Sequence, residues 1–92
     1  MIMSVDNSIY LQLKSNITKD LGQTLYLKDV ANISCTPDIK TQLEKLVVLP
    51  KEERGFVVIT VVDIIEIIRL AMPGIPVSSI GEIKVYIEPD TK

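Results

Sequence analysis

The stretch Gly55–Met72, GFVVITVVDIIEIIRLAM, constrains this chain more than any other. It is apolar enough to cross a bilayer, yet it carries Asp63, Glu66 and Arg69 at three-residue spacing. A spanning helix needs about 20 mostly uncharged residues, and an Asp or Arg at its centre costs about 2.5 to 3.5 kcal/mol even on the insertion scale. The stretch therefore reads as a strand feeding a helix inside a folded domain. At about 100° per residue the three charged positions drift by about 60° per step, giving a polar stripe roughly 120° wide. Ile64, Ile65 and Ile68 form the flank expected to pack on a sheet. Val61, Val62, Ile67, Leu70 and Ala71 form a second apolar flank, to be covered by the other helix, by the tail of the chain or by another protein. A domain of 92 residues buries only about 60 to 65% of its unfolded surface, so covering such a helix on more than one side is demanding.

Thr60 and Asp63 make the Thr-x-x-acid pattern of a capping box, which starts this helix at Val61, and Pro73-Gly74 stops it at Met72. Upstream, Phe56–Ile59 is a short β-branched run suited to a central strand, and Lys51–Gly55 is a charged turn. Thr36-Pro37-Asp38 reads as a second helix start, with a Thr cap, Pro at the first helical position and Asp at the positive end of the dipole. Ile39, Leu43, Leu46 and Val47 follow as one stripe, so that helix is expected to run about three turns to Leu49-Pro50.

Period-two alternation marks the strands. Ile9, Leu11 and Leu13 alternate with Tyr10, Gln12 and Lys14; Leu25 and Leu27 flank Tyr26; Ile83, Val85 and Ile87 alternate with Lys84 and Tyr86. Ser15–Gln23 reads as a turn joining the first two strands into a hairpin with a long loop. Lys28–Ala31 reads as a single helical turn opened by Asp29, and Asn32–Cys35 as a short extended piece. Ile75–Gly81 reads as a connection anchored by Val77 and Ile80. The fold expected is α+β: a small mixed sheet of four or five strands covered by two helices, in one domain over residues 1–92.

Composition limits the chemistry. Net charge is −2, from 10 basic and 12 acidic side chains, so no positive field draws nucleic acid, and no cluster of four Lys/Arg marks an anionic membrane surface. The chain has no His and a single cysteine, Cys35. A cysteine-based disulfide or metal site within the chain is thereby excluded, and Cys35 is expected to be a small buried apolar residue. No Gly-rich phosphate loop or nucleophile elbow occurs. Glu52, Glu53, Glu82, Glu88 and Asp90 have no calcium-loop spacing and read as a solvated face. The expectation is no enzyme, no cofactor and no metal. The N-terminal MIMSVDNS lacks a basic region followed by an apolar core, so no signal peptide is expected.

Every tyrosine in the chain, Tyr10, Tyr26 and Tyr86, sits on a strand at the parity opposite the core residues. Together they are candidates for one exposed interface, since tyrosine gives large contact area at low entropy cost; the alternative is that they shield cross-strand neighbours such as Lys14 and Lys84 on a wet face. Ile67 and Leu70, on the second flank of the long helix, complete the interface candidates.

The order of the segments is itself distinctive. The runs IYLQLK, TLYLKDVANIS and QLEKLVVL, followed by FVVITVVDIIEIIRLAMPGIPVSSIGEIKVYIEP, resemble the N-terminal domain of the stage V sporulation protein AA family over about Ile9 to Pro89. The matching pieces are fold signatures and name no catalytic site. The resemblance implies a membrane protein of the spore or forespore inner membrane, whose soluble N-terminal domain precedes transmembrane helices. It implies action with other proteins of the same sporulation operon in moving calcium dipicolinate into the spore and out at germination. On that view this chain is the soluble domain of a longer protein, on the cytosolic or spore-core side, meeting the membrane only through C-terminal helices. Its expected role is assembly with those operon partners, with self-association a further possibility. A ligand-sensing module for calcium or dipicolinate is the alternative.

Overall fold

The computed structural model describes residues 8–90; the N-terminal MIMSVDN and the final Thr91-Lys92 lie outside the described residues. Ile9–Leu13 (β1) buries Ile9, Leu11 and Leu13 and leaves Tyr10 and Gln12 outside, as its alternation requires. The chain bends at Lys14-Ser15 and continues as Asn16–Lys19 (β2). It then forms Leu25–Tyr26 (β3), the single turn Leu27–Val30 (α1), Ala31–Ser34 (β4), Pro37–Leu43 (α2), Val47–Leu49 (β5) and Val57–Thr60 (β6). Val61–Ala71 (α3), Val77–Ser79 (β7) and Lys84–Pro89 (β8) complete it.

The class is α+β, as expected, but the strands are divided among three small sheets. In the first, β1 is central, antiparallel to β4 and parallel to β7. In the second, β8 is central, parallel to β2 and antiparallel to β6. The third is the antiparallel pair of β3 and β5. The division follows from the bend: the Lys14 N–H donates to the Val30 carbonyl at 2.9 Å, while the next carbonyl, of Ser15, accepts from the Tyr86 N–H at 3.0 Å. Adjacent residues thus belong to different sheets.

Four expectations give way to this topology. The polar run Ser15–Gln23 contains β2, because pairing with β8 uses only main chain and Asn16 and Thr18 can stay on the wet face. The hairpin between the first two predicted strands does not form; β1 pairs with β4 and β7, and β3 with β5. The first long helix stops at Leu43, since Val47-Val48-Leu49 loses less side-chain freedom in a strand than in a helix and finds β3 as its partner. The stripe survives at Ile39 and Leu43, half-buried and buried. Finally, Phe56–Ile59 is not a central strand: β6 ends its sheet and β8 takes the centre.

The long helix matches its sequence closely. The Thr60 N–H donates to Asp63 Oδ2 at 3.0 Å and the Asp63 N–H to Thr60 Oγ1 at 3.3 Å, a reciprocal capping box. Asp63, Glu66 and Arg69 are exposed, and Ile64 and Ile68 are fully buried. Ile65 and Ile67, at the two borders of that face, are half-buried. Thr36 caps α2 by position only, without a side-chain hydrogen bond, and Pro37 follows at its start. Val77 is half-buried, but Ile80 is 63% exposed and is no anchor; it joins the first sheet by its main chain, donating to the Leu11 carbonyl at 2.9 Å. Ile83 is likewise exposed, because it precedes β8 and lies beyond the layer that buries Val85 and Ile87.

The burial contrast along α3 gives a direct test. Ile68→Ala is expected to cost about 2 to 5 kcal/mol of unfolding free energy, whereas Leu70→Ala, two residues on, should stay within about 0.5 kcal/mol of the parent. Urea denaturation of the two variants measures both.

Candidate functional site

The outer face of the second sheet gathers exposed apolar side chains from two neighbouring strands. The register sets Val58 on β6 opposite Tyr86 on β8, and Tyr86 beside Asn16 on β2. Since Ile59, Val85 and Ile87 point inward and are buried, their neighbours Val58 and Tyr86 point outward by the pleat. Phe56, just before β6, lies against Tyr86 with ring centroids 6.1 Å apart and planes tilted by 38°, within the favourable range for an aromatic pair. Phe56 is 59% exposed and Val58 41%, so the pair and its aliphatic neighbour form one water-facing patch. Lys84 and Glu88 flank Tyr86 along β8.

The interface residues singled out from the sequence are dispersed. Tyr10 is on the first sheet, Tyr26 on the third and Tyr86 on the second. Each is exposed on its own strand, but they do not share one sheet face. Tyr10 lines a shallow recess of about 150 Å³ with Gln12, Asn32, Ser34 and Ile80. Leu70 is 83% exposed on the solvent side of α3, among Glu66 and Arg69, while Ile67 is half-buried. Phe56 and Val58 are the contributors that periodicity missed, because an unbroken β-branched run gives no alternation from which to read an outward face.

Lys19 was placed by its sequence in a polar turn and is in fact buried, 6% exposed at the end of β2. Its ammonium donates to the Glu53 carbonyl at 2.8 Å and to the Lys51 carbonyl at 3.3 Å, tying the charged turn before β6 to the edge of the sheet. A cavity of about 40 Å³ lies beside it, lined by Asp20, Arg54, Pro89 and Asp90 among others. That is room for little more than a water molecule or two, so Lys19 acts as a strut that positions the approach to Phe56.

A more polar groove runs over the α1 and α2 side. Lys28, Asn32, Lys40 and Glu44 line a recess of about 250 Å³, continuous through Lys28 and Glu44 with one of about 270 Å³ that includes Tyr26 and Lys45. All three lysines are exposed. Cys35 is half-buried rather than fully buried. Burial pushes its thiol up, with Lys40 pulling it down and Glu44 adding to the rise. Among the described residues no group of three or more His, Cys, Asp or Glu is placed to hold a metal ion, and no helix is long and apolar enough to cross a membrane.

Fold and surface together define a small α+β domain of three short sheets, one of which has an aromatic outer face. The chain belongs to the stage V sporulation protein AA family, whose family model matches residues 6–92. It is therefore a sporulation-related protein. Among solved structures it is similar to a protein from Eubacterium ventriosum ATCC 27560 described as functionally unknown, with a TM-score of 0.80 and 19% identity, over 91% of this chain and 98% of that one. At that identity the likeness concerns the fold alone. None of the curated proteins matches the chain significantly.

Replacing Lys19 by Met keeps the apolar stem and removes both donated bonds. The expected loss is about 1 to 3 kcal/mol, read by thermal unfolding, with faster amide exchange at residues 51–55 than elsewhere in the second sheet.

Proposed function

We propose that this domain is a non-catalytic assembly module of a sporulation membrane protein complex that moves calcium dipicolinate into the spore and releases it at germination. The observation that supports this reading best is the patch of Phe56, Val58 and Tyr86 on an edge-strand sheet. Aromatic side chains held rigidly on a strand layer are what interfaces use as anchors, and a few such residues supply most of the binding energy. The family's place in sporulation supplies the setting. On this reading the full-length protein sits in the spore or forespore inner membrane, and the other products of its operon are the partners.

Phe56→Ala and Tyr86→Ala are expected to leave folding nearly intact and to weaken co-purification of the full-length protein with those partners from forespore membranes, with less dipicolinate accumulated per spore. Undiminished co-purification and normal dipicolinate content in both variants would sink the reading.

The lysine-lined groove supports a second reading, a sensor of dipicolinate anions, and the acidic side chains would be called on for calcium. Neither set is enclosed or convergent, so the expectation is no rise in melting temperature with calcium or dipicolinate at millimolar levels. Occupancy at 100 times the dissociation constant would add about 2.7 kcal/mol, and a reproducible upward shift of that kind would favour sensing over assembly.

A further inference from the structure

The hydrogen-bond parity of β6 determines which of its main-chain groups are in use. The Val61 N–H donates to the Ile83 carbonyl at 2.8 Å, and this pair continues the register in which Ile59 faces Val85 and Val57 faces Ile87. Bonded and non-bonded pairs alternate along an antiparallel ladder. Val57 and Ile59 therefore point their N–H and C=O groups at β8, and Phe56, Val58 and Thr60 point theirs away from it. The opposite strand agrees: Tyr86, which faces Val58, gives its N–H to the Ser15 carbonyl on its other side. The Thr60 N–H is taken by the Asp63 carboxylate. With β6 at the end of its sheet, the main chain of Val58 faces outward with no strand beyond it among the described residues.

Exposed edges are ordinarily blunted by charge, proline or a bulge. On the other side of the same sheet β2 carries Lys19, and in the first sheet β7 follows Pro76. By contrast β6 reads Val57-Val58-Ile59-Thr60, uncharged and in unbroken register with β8.

We propose that β6 is the edge through which two copies of this chain join, antiparallel and centred on Val58. The inference deepens the assembly reading and rests on it for the view that this sheet is an interface. A two-fold axis at Val58 sets that residue against its own copy, where the pair exchanges both N–H···O bonds, and sets Phe56 against Thr60 of the second copy. The charges fit the same axis. Continuing the register by one residue puts Glu88 beside Phe56, while Lys84 sits beside Thr60; each of the two outer rows across the joined sheet therefore has a carboxylate at one end and an ammonium at the other. No like charges are opposed within the strand pair, because β6 itself carries none. A foreign extended segment would supply the main-chain bonds without bringing these charges.

Sedimentation equilibrium of the 92-residue chain, taken to about 1 mM so that an association worth about 4 kcal/mol is visible, tests the proposal. The parent is expected to form dimers. Val58→Pro removes only an outward N–H that β8 does not use, and Val58→Lys sets two ammonium groups face to face; each should raise the dimer dissociation constant at least about tenfold. Ile80→Lys, an equally exposed position near the first sheet, should leave it unchanged. Circular dichroism checks that the variants fold, and if Val58→Pro does not, Val58→Lys decides. A monomeric parent, or Val58 variants that associate as the parent does, or an equal loss in Ile80→Lys, overturns the proposal. A monomeric parent whose partner co-purification still depends on Phe56 and Tyr86 rejects the second copy while keeping the assembly reading; loss of both rejects the two together.

Discussion

Two main-chain hydrogen bonds on neighbouring residues decide where the rest of this chain can go. Lys14 donates to Val30 in the first sheet and Ser15 accepts from Tyr86 in the second, so a single extended segment, residues 9–19, supplies the central strand of one sheet and an edge strand of the other. Once it bends there, Ile9, Leu11 and Leu13 line one part of the core, while Lys19 lies buried at the far end of β2. The remaining strands are too short to span both sheets, and each takes the partner that its position allows. The helix α3 then closes the interior with Ile64 and Ile68.

What the sequence reveals and what it hides divide along the range of the interactions involved. The limits of α3 were legible because every signal lies within four residues: Thr60 and Asp63 bond to each other, the charged stripe repeats every three residues, and Pro73 ends the run. The inward parity of Leu11, Leu25, Val85 and Ile87 was legible for the same reason. Partner choice was not. Nothing local distinguishes Ser15–Gln23 as a loop from the same residues as an edge strand, since a strand whose outer side chains are Asn16 and Thr18 looks like a turn. Nor does Leu46-Val47-Val48-Leu49 show by its stripe alone that it leaves the helix, because an i, i+3, i+4 pattern and a short apolar strand overlap in so few residues. In both places a distant main chain, β8 for one and β3 for the other, settled the outcome.

The same division explains the candidate surface. Parity showed correctly that Tyr10, Tyr26 and Tyr86 face outward, but whether they face outward together depends on which sheet each strand joins, and they join three. What makes Tyr86 different is its register: opposite Val58 and against Phe56, it shares a patch that neither strand creates alone. Lys19 contributes from a distance, since its bonds to the Lys51 and Glu53 carbonyls hold the turn that delivers Phe56.

An apolar outer face beside an unblunted edge is costly for a protein to keep, because the same features promote unspecific pairing. Here the apolar groups are confined to the middle of the strand, and charge surrounds them: Arg54 before β6, Asp63 and Glu66 after it, Lys84 and Glu88 alongside. A hydrophobic centre supplies attraction without direction, whereas the ring of charges supplies direction with little attraction of its own. The combination is what a recognition surface requires, and β-branched residues at Val57, Val58 and Ile59 serve both the strand and the contact it offers.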